Sequence, residues 1–264
     1  MKDYKEINRQ SWNNRTAVHI DSDFYNVPSF LKGATSLKSI ELGMLGNIRG
    51  KRILHLQCHF GQDTISLARM GAHVTGVDLS DVAIDKARGL AKEAGVECTF
   101  IASDVYDLPA ILKEDFDIVF TSYGVIGWLP DMNKWAGVIA NFLRPKGQLV
   151  FVEFHPVVWM FDDDFNEIKY RYFNSGEIRE SEEGTYADTE AHISQEYVMW
   201  NHGMSEVVNN LISHGMNIRQ LDEYDYSPYP CFRGVVEVEK GKFRIEKMKD
   251  NIPMVYAILA EKTV

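Results

Sequence analysis

Residues 51–80 read KRILHLQCHFGQDTISLARMGAHVTGVDLS, and the order of elements within them decides the fold. The apolar run at 52–57 predicts a buried strand. A turn follows at 58–61, and 62–70 has helical spacing that stops at Gly71, a residue suited to the left-handed position after a helix. A second β-rich run, 72–77, ends on an acid, Asp78. Strand, turn, helix, strand and acid make one half of a nucleotide-binding α/β fold. In such sheets the ligand lies beyond the carboxyl ends of the strands, and the acid accepts hydrogen bonds from a ribose.

The turn narrows the choice of nucleotide. A pyrophosphate cradle needs several glycines so that backbone N–H groups can approach the phosphates. Here only Gly61 is present, while Gln57, His59 and Phe60 carry side chains. That argues against NAD or FAD. An adenosine without phosphates tolerates the bulk.

Downstream, the alternation continues. Ser80 suits an N-cap and Asp81 the first turn of a helix, whose dipole favours an anion. Val82, Ala83, Ala87, Leu90, Ala91 and Ala94 form its apolar stripe, with Gly95 as the stop. Residues 98–102 read as a third strand followed by Asp104. A fourth, 116–121, is apolar on both faces, as a central parallel strand should be; Ser122, Tyr123 and Gly124 stand at its end. A helix over 131–143 stops before Pro145, and a fifth strand at 148–154 carries Glu153, with His155 just after it.

These segments resemble the class I S-adenosylmethionine-dependent methyltransferases. HLQCHFGQDTISLA looks like a variant of their first motif, matching at Cys58 and Gly61 and departing at His55, Gln57 and His59. The likeness runs on through VTGVDLS, residues 102–105, and FDIVFTSYGVIGWLPDMNKWAGVIANFLRPKGQLVFVE. It covers about 53–154, with a weaker echo at 203–223. The resemblance implies a Rossmann-like, doubly wound, mostly parallel seven-stranded sheet with an antiparallel last strand. It also implies S-adenosylmethionine as cofactor, S-adenosylhomocysteine as product and a small-molecule acceptor. The cofactor contacts it implies are Gln57, Cys58, His59, Gly61, Asp78, Leu79, Asp104, Val105, Ser122 and Trp12. Asp104 then accepts a hydrogen bond from the adenine amino group. Members often fold an N-terminal segment over the crevice, which makes Trp12 and Tyr25 lid candidates in a helical segment 1–50; a helix packed across the sheet edge is the rival reading.

Methyl transfer asks the protein to align a nucleophile and exclude water. A base is needed only when the acceptor arrives protonated. His155, at the end of the fifth strand, is the candidate, with Tyr123, Glu153 and His202 as alternatives; a structural hydrogen bond is its competing role. His55, Cys58 and His59 lie close enough to raise a metal site, but a structural zinc wants four ligands and no second cluster follows. Cys58 has no base partner in sequence and reads as a packing residue.

From 157 to about 200 the pattern changes. The stretch is rich in aromatics, and residues 161–197 hold eleven acids and three bases. Alternation at 168–173 and 191–197 suggests short antiparallel strands, an inserted lobe suited to capping a neutral, cationic or planar acceptor; a solvated lobe or a dimer contact is the alternative. Helical spacing returns at 203–214, then a sixth strand at 218–224, a hairpin around Lys240-Gly241, and a last strand at 254–261 inserting antiparallel at the edge. The composition, 45% apolar and 25% charged, is that of a globular protein. A net charge of −10 disfavours a nucleic-acid partner. Three unpaired cysteines and no apolar leader or membrane span suggest a cytoplasmic protein, with a homodimer as the candidate assembly. The competing functions are a dinucleotide-dependent oxidoreductase, and a module that binds the cofactor without turnover.

Overall fold

The computed structural model describes residues 3–263; Met1 and Lys2, which begin the expected N-terminal segment, and Val264 lie outside the described residues. Three helices precede the sheet: α1 (Tyr4–His19), α2 (Val27–Leu31) and α3 (Ser39–Leu45). Then strand and helix alternate: β1 (Arg52–Leu56), α4 (Gln62–Arg69), β2 (His73–Asp78), α5 (Asp81–Ala94), β3 (Thr99–Ala102), α6 (Leu108–Ile111), β4 (Phe116–Ser122), α7 (Met132–Phe142) and β5 (Leu143–Phe154). The inserted lobe contributes β6 (Ile178–Glu183) and β7 (Ser194–Met199). The chain closes with α8 (Met204–Ser213), β8 (Met216–Tyr224), the hairpin β9 (Val235–Glu239) and β10 (Lys242–Ile245), and β11 (Val255–Lys262).

Seven strands form one sheet in the order β3-β2-β1-β4-β5-β11-β8. β1 pairs in parallel with both β2 and β4, so the chain winds outward in opposite directions from β1 and β4. A crevice opens at that reversal, beyond the carboxyl ends of the strands. One face is sealed by α7 and α8, with Trp135, Phe142, Phe151, Leu211 and Tyr256 buried together. The other holds Ile48, Ile53, Leu67, Phe120 and Val150.

The last strand is antiparallel, as the sequence suggested, but it sits one place in from the edge, between β5 and β8. Residues 255–258 are buried without interruption, so the strand needs covering on both sides. β8 has one buried residue, Met216, and is otherwise half-buried or exposed, which suits the edge. In the lobe, β7 pairs antiparallel with β6, whereas 168–173 is not a strand beyond a single bridge from Ile168 to Phe161. Ile168 and Phe173 are exposed, so their alternation marks no buried face. β6, IRESEE, carries no apolar alternation and is held by backbone pairing to β7 and by polar contacts of Glu180 and Glu182.

Helix α1 is stapled across the carboxyl edge of the sheet. Asn8 donates to the Val198 carbonyl and accepts from the Val198 N–H, both at 2.8 Å, which fixes α1 to β7. Arg9 and Asn13 reach Asp81 at the start of α5, and Arg15 pairs with Glu182 of β6 at 2.7 Å. The N-terminal segment therefore joins the sheet to the inserted lobe over the crevice.

Candidate functional site

The loop after β1 keeps the backbone of a glycine turn while carrying side chains. Gln57 and His59 have φ of 56° and 50°, in the left-handed region where a Cβ costs roughly 1–2 kcal/mol. Asp78, at the end of β2, holds the loop in place: Oδ2 accepts from the His59 N–H at 2.7 Å and Oδ1 from the Ser80 N–H at 2.9 Å. Burial nevertheless pushes its carboxyl up to about 6, against the downward pull of those amides. Gly61, with φ of 83°, begins α4. A Cβ there meets Phe100 Cε1 at 2.8 Å and Ala87 Cβ at 2.9 Å. Gly61→Ala should therefore combine a strained φ with overpacking, a loss of about 2–5 kcal/mol readable as a lower urea midpoint. Cys58 packs below the loop, its sulfur 2.9 Å from where a Cβ on Gly76 would stand.

A cavity of about 700 Å³ opens above this loop. All ten residues expected to contact the cofactor line it: Trp12, Gln57, Cys58, His59, Gly61, Asp78, Leu79, Asp104, Val105 and Ser122. Tyr25, the second lid candidate, lines it too. Asp104 accepts from the Tyr106 N–H at 2.8 Å and pairs with Lys5 of α1 at 3.2 Å, a contact that no local pattern announces. Three buried polar atoms around the loop lack a hydrogen-bond partner among the described residues: Gln57 Oε1, His59 Nδ1 and His19 Nε2. His19 Nδ1 lies 2.9 Å from His59 Nε2, so one shared proton links α1 to the loop. Burial holds the His59 imidazole down at about 3, and both rings are neutral near pH 7.

The rest of the cavity is an aromatic chamber. Phe154, Trp159, Phe161, Phe165, Tyr229 and Phe232 come from the end of β5, the inserted lobe and the loop before β9. Asp162, Asp163, Glu182 and Glu183 stand among them. The chamber meets the β1 loop at Tyr123, another left-handed residue with φ of 50°. The turn after β4 is fixed by Glu153, whose carboxylate accepts from the N–H groups of Gly124, Val125, Ile126 and Phe154.

His155 is not among the cavity-lining residues. Its Nε2 lies 2.9 Å from Glu223 on β8, and its Nδ1 accepts from the Val157 N–H at 3.2 Å. It braces the turn after β5 against β8, the structural role weighed against catalysis. His202 is likewise buried, with Nε2 2.8 Å from the Leu129 carbonyl oxygen, and the buried Glu153 carboxylate is occupied by four backbone amides. His55 Nδ1 lies 2.8 Å from Thr64 Oγ1 in the interior. Among the described residues, no group of three or more His, Cys, Asp or Glu side chains is arranged to hold a metal ion. Two acids close to Tyr123 carry no motif in the sequence, the buried Glu41 and the half-buried Asp63; only their position near the strand-end residues could have signalled them.

Residues 53–147 match a family model described as a methyltransferase domain. Over 104 residues the chain is 35% identical to a ubiquinone biosynthesis O-methyltransferase of Aromatoleum aromaticum, covering 39% of this chain and 44% of that one. The chain thus spans less than half the length of that curated relative. Among solved structures, a geranyl diphosphate C-methyltransferase from Streptomyces coelicolor superposes with a TM-score of 0.61 at 15% identity, covering 99% of this chain and 98% of the other. An S-adenosylmethionine-dependent methyltransferase from Mesorhizobium loti gives 0.58 at 20% identity, covering 88% and 100%. The sheet order, the crevice at its reversal and the match over 53–147 give this chain the fold of the class I S-adenosylmethionine-dependent methyltransferases.

Proposed function

We propose that this protein transfers a methyl group from S-adenosylmethionine to a small, largely planar acceptor. The observation that carries the reading is the convergence of Asp78, Asp104 and the strained β1 loop on one cavity that continues into an aromatic chamber. The site fits such a cofactor on its own chemistry. Each Asp78 oxygen has spare acceptor capacity for a ribose hydroxyl. Asp104 can accept from an adenine amino group while sharing its charge with Lys5. The unpartnered Gln57 Oε1 and His59 Nδ1 face the same need for a partner. Leu79 and Val105 offer apolar surface, and Ser122, Cys58 and Gly61 complete the floor. When bound, the sulfonium supplies an electrophilic methyl group; these side chains bind, orient and exclude water.

Residues 1–50 serve in this reading as the lid and 157–200 as the acceptor cap. The cap's acids and rings favour a neutral, cationic or planar acceptor over a polyanion. The curated relative's O-methyltransferase name supports an oxygen acceptor. A net charge of −10 supports a protein without nucleic-acid partners. No helix of the described residues is long and apolar enough to cross a membrane, and a cytoplasmic location and a homodimer remain part of the proposal.

Calorimetric titration with S-adenosylmethionine, S-adenosylhomocysteine and NAD in parallel tests the reading. The first two should bind and NAD should not; binding of NAD alone overturns it. Trp12 packs edge-on against both His59 and Trp128 at 5.2 Å, covering the loop from α1. Trp12→Ala should weaken S-adenosylmethionine about tenfold or more, the loss of roughly 1.4 kcal/mol or more of aromatic contact. An unchanged affinity would remove α1 from the site.

A further inference from the structure

We propose that Tyr123 and Glu41 form a proton relay that takes the proton from an acceptor hydroxyl bound in the aromatic chamber. The proposal rests on the methyl-transfer reading and extends it to the step that activates the acceptor.

Tyr123 stands where the two halves of the cavity meet. On one side its neighbour Ser122 donates to Asp63 at 3.3 Å, beside the β1 loop. On the other, its ring packs against Phe154 and Tyr229, with centroids 5.6 and 5.1 Å away. Its N–H donates to the Val152 carbonyl at 2.7 Å, which holds the left-handed backbone and fixes the direction of the ring. A left-handed tyrosine is costly, and such strain concentrates where a side chain must be aimed.

The hydroxyl donates to Glu41 Oε2 at 2.7 Å. Glu41 is fully buried, is not among the cavity-lining residues and has no ion-pair partner among the described residues. Its other oxygen, Oε1, accepts from the Lys38 N–H at 2.5 Å and caps α3. The cavity therefore reaches this carboxylate through the tyrosine hydroxyl. Capping α3 needs one oxygen; the second is committed to Tyr123. The charged and titratable groups facing the pair are Asp63 from α4, Tyr229, and Lys38, whose ammonium lies 4.6 Å from the Tyr229 ring centre. Burial, with Asp63 adding to it, pushes Glu41 up to about 7, while Tyr123 stays protonated far above neutrality. Tyrosine is thus the conduit and glutamate the store.

The step balances as follows. The acceptor O–H bond breaks as its proton passes to Tyr123 Oη, and the proton already on Oη passes to Glu41 Oε2. The acceptor oxygen uses its freed electron pair to bond the methyl carbon, whose bond to sulfur breaks with its electrons going to sulfur. Glu41 is left neutral and returns its proton to solvent through Tyr123 after product release.

Two probes of different acidity test the relay: phenol, which is protonated at pH 8, and para-nitrophenol, which is ionised there and needs no base. Release of S-adenosylhomocysteine is measured for the full chain, for Tyr123→Phe and for Glu41→Gln, whose amide oxygen can still cap α3. Both variants should lose about 100-fold or more with phenol, the usual contribution of a general base, and less than about threefold with para-nitrophenol. Wild-type turnover of phenol should rise as pH increases through about 7, where Glu41 ionises, and Glu41→Gln should lack that rise. Equal losses with both probes, or no loss with phenol, overturn the relay; so does a wild-type protein that turns over neither probe. Calorimetry with S-adenosylmethionine on the same samples separates the two failures. Cofactor bound with the relay pattern absent rejects the relay alone, and cofactor unbound rejects the methyl-transfer reading beneath it.

Discussion

Asp78→Ala is expected to weaken S-adenosylmethionine binding by about 100- to 1,000-fold, the loss of two hydrogen bonds to a charged carboxylate at roughly 1.5–3 kcal/mol each, partly offset by water. The carboxylate already orders the loop through His59 and Ser80, so the same change also releases the backbone that frames the cavity. Calorimetry measures the affinity, and a thermal melt confirms that the variant is folded. Unchanged affinity in a folded variant would mean that the crevice has been misread. The wild-type protein should show a matching pH dependence. Because burial raises Asp78 to about 6, the carboxylate is ionised above that pH and increasingly protonated below it. Affinity should be level above about pH 6 and fall by up to tenfold per unit below, as the accepting form is lost. For the free protein the sign is opposite. Between about pH 4 and 6 the folded state holds a proton that the unfolded state has released, so this group's contribution to stability declines as pH rises through that window.

The sheet was legible because it rests on local signals. The 52–57 and 116–121 runs are apolar on both faces, and Gly71 and Gly95 end helices where a left-handed residue is needed. Asp78 and Asp104 were legible for the same reason: a strand end plus an acid is a pattern only a few residues long. The bonds that assemble the site are not local. Asn8 meets Val198 across 190 residues, and Tyr123 meets Glu41 across 82. No periodicity reports such a pairing. The β1 loop was half legible. Missing glycines at 57 and 59 suggested an altered turn, yet the backbone stays left-handed there and carries the strain. His155 misled because the sequence shows that a residue ends a strand but not which way it points. Its partner, Glu223, lies on β8, reached only when β11 inserts beside β5.

Glu153→Ala is expected to cost about 4–6 kcal/mol, a large share of the roughly 5–15 kcal/mol that keeps a domain folded. The side chain is 1% exposed, and its two oxygens meet four backbone N–H groups. Burial pushes this carboxyl up while the four amides pull it down. Alanine leaves four buried donors without an acceptor, at roughly 1–3 kcal/mol each before water enters the space. Glu153→Gln keeps the volume but turns an NH2 group toward those same donors, so it should still cost about 2–4 kcal/mol. Urea unfolding measures both, and a loss under about 1 kcal/mol for alanine would show that the turn holds itself. The consequence reaches the site through geometry. Tyr123 and Gly124 both have positive φ, a conformation the surrounding structure must impose. Three of the amides that Glu153 gathers, those of Gly124, Val125 and Ile126, belong to this turn. Without that anchor the turn can relax toward ordinary backbone angles, moving the Tyr123 hydroxyl away from Glu41. The variant should therefore lose turnover even at temperatures where it remains folded, because one buried carboxylate holds both the end of β4 and the junction of the two cavity halves.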